Sequence, residues 1–170
     1  MNDYKIKLRD IKNDCYSLNY AINDTFFNDF KYSEVKHANI LATIKTEKKN
    51  NQVILSIDLL GKINHLLCDI CAEDISIDIA STTKIVVKKT LEKIESTDEI
   101  IYIHPNDNEL SIKHLLFELI NLSVPNKIRH KLKEGISQCN EEMISLINKY
   151  ANIKKKSQEV KWEALNKLKI

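Results

Sequence analysis

Two cysteines separated by two residues, Cys68-Asp69-Ile70-Cys71, are the most informative chemical feature of this sequence. A tight turn at that spacing can aim two thiolates at one ion, and zinc takes four ligands, favouring sulfur and imidazole. His130 and Cys139, on either side of Gly135, are the other Cys and His residues in a plausible loop. One reading is therefore a Cys3His zinc site made of Cys68, Cys71, His130 and Cys139. The other is buried or idle thiols, since cysteine is among the most buried residue types. The long gap between Cys71 and His130 leaves both open. A thioredoxin-like use of the pair would need a helix N-terminus to lower a thiol pKa. The residues that follow, Ala72 to Ile79, alternate as a strand does, so no helix dipole is at hand. Cys15, alone in a strand-like segment, reads as a core or edge residue.

Other chemistry is sparse. His37, His65, His104 and His114 are scattered, and no Gly-x-Ser-x-Gly elbow, His-Glu-x-x-His helix or phosphate-binding loop occurs. With only two glycines there is little material for an oxyanion or phosphate cradle. The residues argue against an enzyme and against a small-molecule substrate. The segment Asn126 to Lys133 gathers Lys127, Arg129, Lys131 and Lys133, which can contact phosphates and release counterions. It lacks the interleaved aromatics that stack single-stranded bases, and a solvated loop is its plain alternative. The same holds for Lys154-Lys155-Lys156.

The charge distribution repeats this asymmetry. Net charge is +2, but residues 126–170 carry 11 Lys/Arg against 5 Glu, leaving the preceding part at −4. An acidic body thus carries a basic C-terminal third. The hydrophobic share of 43% and charged share of 29% are those of a globular protein, and 170 residues can build a single core without disulfides. The start, Met1 to Lys7, lacks the apolar stretch of a signal peptide, and no apolar run approaches the ~20 residues that span a bilayer. The expectation is a soluble cytoplasmic protein whose cysteines stay reduced.

The elements that must position the cysteines follow from periodicity. Tyr4–Leu8 and Cys15–Ile22 alternate as short strands. Asp24 to Phe30 reads as a capped helical turn facing Phe26, Phe27 and Phe30 inward. Ile40–Ile44 and Val53–Leu59 flank the polar turn Lys48-Lys49-Asn50-Asn51 as a hairpin, with Gly61 marking a bend or bulge. Ile75, Ile77, Ile79 and the run Ile85–Val87 continue beyond the cysteines, so the pair should join two long strands. Glu92 to Glu99 reads as a surface loop. The period then changes: Ser111 caps a helix with Ile112, Leu115, Leu116, Leu119 and Ile120 on one face, stopped by Pro125. A second helix is expected over about Asn140–Tyr150. The class is α+β: an antiparallel β-rich N-terminal body followed by two or three C-terminal helices. Residues 1–150 are expected to form one domain (β-rich 1–90, helical 111–150), 151–159 a basic tether, and 160–170 a short helix with Trp162, Leu165 and Leu168 on one side.

The order of these pieces resembles the YceD family of large ribosomal RNA subunit accumulation proteins, in particular its Bacteroidetes-type members. Asp24-Thr25-Phe26-Phe27 followed by Phe30 to Val35 is similar to that group's N-terminal signature. Cys68-Asp69-Ile70-Cys71 sits where the family has a Cys-x-Arg-Cys-Leu knuckle. Ser111 to Pro125 resembles its helix ending in Leu-x-x-Pro, and Asn126 to His130 a basic run ending in His. Cys139-Asn140-Glu141-Glu142-Met143 resembles Cys-Asp-Pro-Glu-Met, and Lys161 to Leu168 the closing Arg-Trp-x-x-Leu-x-x-Leu. Ile70 departs from the usual Arg, removing a phosphate or carboxylate contact, and Glu159-Val160 replaces Asp-Pro ahead of the last helix. The resemblance implies a non-enzymatic, cytoplasmic accessory factor for the synthesis, processing or stability of large-subunit ribosomal RNA. Its partners would be pre-ribosomal large-subunit RNA, an early ribosomal protein, or both. Many members carry a second cysteine cluster after the Leu-x-x-Pro helix, where His130 and Cys139 stand here, which supports zinc. A protein-only adaptor, or a zinc-stabilised interaction module that does not touch RNA, is the competing reading.

Overall fold

In the computed structural model the described residues are 4–8, 11, 16–49, 52–130, 132–133, 136–137 and 139–157, with the side chains of 131–138 and 152–157 outside the description. Cys15, Lys131 and the expected C-terminal helix therefore lie outside the described residues. The chain divides into two compact units. One comprises residues 1–66 and 76–126, the other residues 67–75 and 127–170.

The first unit is built on a five-stranded sheet. β1 (Lys5–Lys7) precedes β2 (Tyr16–Ile22), the single helical turn α1 (Asp24–Phe27), β3 (His37–Lys49), β4 (Gln52–Leu67), β5 (Asp74–Lys89), β6 (Ile100–Ile103), β7 (Glu109–Ser111) and α2 (Lys113–Leu122). The sheet order is β2-β3-β4-β5-β6, and β1 pairs with β7 in a small separate ladder. β3 and β4 are antiparallel from His37↔Asn64 to Lys49↔Gln52, as the alternating apolar residues predict. Along β3, Ala38, Ile40, Ala42 and Ile44 are buried while their neighbours face out, the signature of a half-buried strand. Gly61 does not bulge. It pairs with Ile40, and a Cβ there would lie 2.2 Å from the Asn39 carbonyl oxygen, so the close approach of β3 requires glycine.

β6 runs parallel to β5, from Val86↔Ile100 to Lys89↔Ile103, a departure from an all-antiparallel body. The expected loop over residues 92–99 explains it, carrying the chain back before β6 begins. This segment also covers the new strand's edge: Tyr102 donates its N–H to Ser96 Oγ and Ile100 to Thr97 Oγ1. Such bonds satisfy an edge that would otherwise be open for pairing.

The helices differ in their caps from the sequence expectation. Asn23, not Asp24, caps α1, its Oδ1 accepting from the Thr25 N–H. Asp24 instead binds His37 Nδ1 and accepts the Ala38 N–H, which together hold its carboxyl below the usual range. Ser111 is the last residue of β7, so α2 starts without a side-chain cap, with Ile112, Leu116 and Ile120 fully buried. Phe30 stacks on Phe117 at 3.9 Å, and Lys113 pairs with Asp29.

The second unit holds the tip between β4 and β5, a two-residue ladder of β8 (Leu132–Lys133) with β9 (Ile136–Ser137), and α3 (Glu141–Ser157). α3 runs seven residues beyond Tyr150, through most of the expected tether. Residues 151–157 contain neither glycine nor proline, lysine is a good helix former, and cations at a helix C-terminus oppose its dipole favourably. No helix among the described residues is long and apolar enough to cross a membrane.

Candidate metal centre

The approach to the cysteines is set by a change of phase in β4. Leu55, Ile57, Leu59 and Ile63 are buried at odd positions, whereas Leu66 and Cys68 are buried at even ones. His65, with φ of 56°, lies between them. A left-handed residue of this kind behaves as a bulge, shifting the alternation by one. Without it, Leu67 rather than Cys68 would turn inward.

The turn itself is closed by two backbone bonds. Cys68 donates its N–H to the Glu73 carbonyl at 2.9 Å, and Ala72 donates to the Cys68 carbonyl at 2.9 Å. Ala72 has φ of 56°, a conformation glycine would adopt more cheaply. The folded turn places N–H groups around the first sulfur. Burial pushes the Cys68 thiol up, but N–H groups of Cys71, Ile70 and His130, with the Cys71 side chain, outweigh it and bring the pKa to about 6. Donors that converge on a sulfur favour the thiolate, which is the form that binds metal.

The other two residues arrive through polar clamps. Asp69 donates its N–H to the Ile128 carbonyl at 2.8 Å, and its Oδ2 accepts the Ile128 N–H at 2.7 Å. This reciprocal pair fixes the segment two residues before His130. Asn140 caps α3, its Oδ1 accepting from Glu142 (3.0 Å) and Met143 (3.3 Å), while its Nδ2 donates to Glu73 Oε1 at 3.0 Å. Cys139, directly before that cap, is thereby tied to the same turn as Cys68 and Cys71.

The four ligand atoms lie within 4.8 Å of one another. Cys68 Sγ is 3.8 Å from Cys139 Sγ, and His130 Nδ1 is 3.4 Å from Cys71 Sγ and 3.7 Å from Cys139 Sγ. A tetrahedral zinc with Zn–S near 2.3 Å and Zn–N near 2.0–2.1 Å separates sulfurs by about 3.8 Å and sulfur from nitrogen by about 3.6 Å. The observed spacing agrees, and it is far too long for a disulfide, whose sulfurs sit about 2.05 Å apart. Cys68, Cys71 and Cys139 are 2%, 4% and 5% exposed, and His130 is half-buried. Ile70 and Ile144 pack against the cysteines. Ile70 therefore helps to shield the sulfurs. The chemistry of this donor set is compatible with zinc in a closed, four-coordinate site.

The basic residues fall beside this cluster in the chain. Lys127 and Arg129 are exposed on either side of the clamped Ile128. Lys133 is in β8, with its side chain outside the described part. Sequence reasoning did not identify Asp69, Ala72, Glu73 or Asn140. Only Asn140 had a readable signal, as an Asn ahead of two glutamates at a helix start.

No curated protein and no solved structure gives a significant match to the chain. The profile of one family, described as large ribosomal RNA subunit accumulation protein YceD, matches residues 61–169. That segment runs from the close-packed Gly61 through the whole cysteine–histidine cluster, and leaves residues 1–60, with Asp24 to Val35, outside the match. The chain belongs to the YceD family.

Proposed function

We propose that the protein is a non-enzymatic, cytoplasmic accessory factor for large-subunit ribosomal RNA, in which one zinc ion held by Cys68, Cys71, His130 and Cys139 fixes the segment that meets the RNA. The ligand spacing, matched to a tetrahedral ion, is the observation that carries the zinc assignment. Family membership supports the link to large-subunit RNA. A zinc bound there would supply no reaction. It would join the knuckle to the start of α3 and to the basic segment, as structural zinc contributes directly to folding free energy. Lys127 and Arg129, exposed in that segment, are the proposed RNA contacts, with Lys131 and Lys133. Pre-ribosomal large-subunit RNA is the first partner, and an early ribosomal protein a further one.

Two measurements test this reading. Protein purified without chelators should carry about one equivalent of zinc, and Cys68→Ser and Cys139→Ser should each lose it. Zinc retained at full content in Cys139→Ser would overturn the ligand set. Binding to large-subunit RNA should weaken steeply with salt, and reversing Lys127 and Arg129 should flatten the slope by roughly one per lost phosphate contact. A salt-independent interaction would remove direct RNA binding.

One observation favours the adaptor reading alongside it. Leu41 and Leu60, directly paired across β3 and β4, are both exposed on the outer face of the sheet. A partner held there would stay associated through nuclease and high salt, and Leu60→Asp would release it.

A further inference from the structure

The inner face of β5 is interrupted halfway along. Ile79, Ile85 and Val87 are buried there, but the alternate positions between them, Ser81 and Thr83, carry hydroxyls and are only half-buried. On α2, Leu116 and Ile120 turn into the core, and a second apolar stripe of Leu115, Leu119 and Leu122 recurs at spacings of four and three. Leu115 and Leu119 are half-buried, and Leu122 is 81% exposed. This stripe and the two hydroxyl residues line a groove of about 670 Å³, joined by Ile101 of β6 and by the segment Ser96 to Asp98. All of it belongs to the first unit.

The walls are fixed by hydrogen bonds of their own. Ser96 Oγ and Thr97 Oγ1 accept the N–H groups of Tyr102 and Ile100. Ser81 Oγ lies 2.9 Å from Ser123 Oγ, which donates to the Leu119 carbonyl at 2.6 Å. Among the described residues that line the groove, the charged ones are Asp98 and Glu118, both carboxylates, and none is Lys, Arg or His. His114 Nδ1 stands 3.6 Å from Glu118 Oε1 without lining it.

We propose that this groove binds a basic, amphipathic peptide segment of a protein partner. Apolar side chains of that segment enter against the α2 stripe, and its Lys or Arg side chains meet Asp98 and Glu118. Charge decides the class of partner: carboxylates without a neighbouring cation repel RNA phosphates and attract a cationic segment. The apolar stripe supplies what a helix laid in a groove needs for its anchors. The volume falls in the range of small-ligand sites, ~300–1,000 Å³, but exposed Leu122 carries the apolar surface on past the polar wall, which a peptide covers and a small molecule does not. The inference goes beyond the RNA reading and uses none of its contact residues or proposed zinc ligands.

The test uses the full-length protein and a short synthetic peptide with leucines at helical spacing and lysines elsewhere, beside a second peptide with glutamates in place of the lysines. Fluorescence anisotropy should show the lysine peptide bound and the glutamate peptide free, and NMR should place the amide shifts at Thr83, Leu119 and Leu122. Asp98→Lys combined with Glu118→Lys should weaken binding about tenfold, and Leu122→Glu should weaken it too. Asp78→Lys combined with Glu34→Lys, the same change of charge outside the groove, should cost less than about twofold. All five residues are exposed, and a native thermal midpoint checks that each variant folds. Equal binding of the two peptides, no binding of either, or undiminished binding after reversal of Asp98 and Glu118 would overturn the proposal. So would shifts centred on Leu41 and Leu60, or a dimer of the protein that Leu122→Glu dissolves, which assigns the groove to a second copy.

Discussion

Asp69 is the residue on which the geometry of the proposed zinc site can be tested without touching a ligand. Its carboxylate accepts the Ile128 N–H at 2.7 Å, and its own N–H donates to the Ile128 carbonyl at 2.8 Å. Replacing Asp69 by Ala removes the first bond and leaves the second. A hydrogen bond to a charged acceptor contributes about 1.5–3 kcal/mol, and the exposure of Asp69 places the loss at the lower end, about 1.5 kcal/mol. If that bond serves to hold His130, the loss falls on metal binding, and about 1.4 kcal/mol is a tenfold change in dissociation constant. Competition against a chromophoric zinc chelator at neutral pH should thus show Asp69→Ala binding about tenfold more weakly, and Asp69→Asn, which keeps an acceptor, an intermediate loss. The Asp78→Ala control, whose partner Lys62 lies in the other unit, should match the native protein. In a His130→Ala background the Asp69 substitution should have no further effect, since the residue it positions is gone. Native affinity in Asp69→Ala, or an undiminished loss in the His130→Ala background, would refute the positioning role.

Other substitutions probe the frame. Ala72→Gly removes the cost of a left-handed alanine and should stabilise the protein by about 0.5–1 kcal/mol, read as a raised thermal midpoint; a lowered midpoint would show that the turn is not strained. Gly61→Ala puts a methyl against the β3 backbone and should cost about 1–3 kcal/mol in urea unfolding, whereas a native midpoint would mean that β3 yields freely. The Asp58 carboxyl is held below its ordinary pKa, chiefly by the Thr82 hydroxyl and then by Lys45 against opposing desolvation. A depressed carboxylate stabilises the fold above its unfolded pKa and loses that contribution as pH falls through the folded value. Thr82→Val should therefore raise the Asp58 titration midpoint, followed by NMR, and the stability gap to the native protein should narrow in acid. A gap that widens in acid would contradict the assignment.

The parts of the fold that sequence made legible are those governed by a sustained period. The alternation of Ile40, Ala42 and Ile44, and of Leu55, Ile57 and Leu59, located the central hairpin, and the stripe Ile112, Leu116, Ile120 located α2. The grouping of Cys68, Cys71, His130 and Cys139 was one of two readings the sequence left open, because the long gap between Cys71 and His130 gives no spacing signal; the fold brings their ligand atoms within 4.8 Å of one another. What escaped were features that need partners distant in sequence or break the period by one. The left-handed backbone at His65 leaves no mark in residue type, yet it decides that Cys68 turns inward. The role of Asp69 depends on Ile128, 59 residues away in the chain, and so leaves no local mark in the sequence. The short β6 and β7 were hidden because runs of three or four residues, such as Ile100–Ile103, carry too little periodicity to name a strand. The over-long tether came from reading lysines as solvated loop, although the same residues are good helix formers.

The discontinuity of the second unit also dictates an order of events during folding. Its nine-residue tip leaves and re-enters the first unit between β4 and β5, and its remainder departs from the first unit again after Asn126. As the chain emerges from synthesis, Cys68 and Cys71 are available long before His130 and Cys139, offering an ion only two sulfurs. Closing so long a loop in a free chain carries an entropic cost that rises with the logarithm of its length. Once the first unit has folded, it already restrains residues 66, 76 and 126, and much of that cost has been met. The late ligands should then bind as a separate, slower phase whose rate depends on zinc, while the sheet forms at a rate that does not. With zinc bound as proposed, a protein assembled in this sequence would complete the site that holds it last, after the first unit has set.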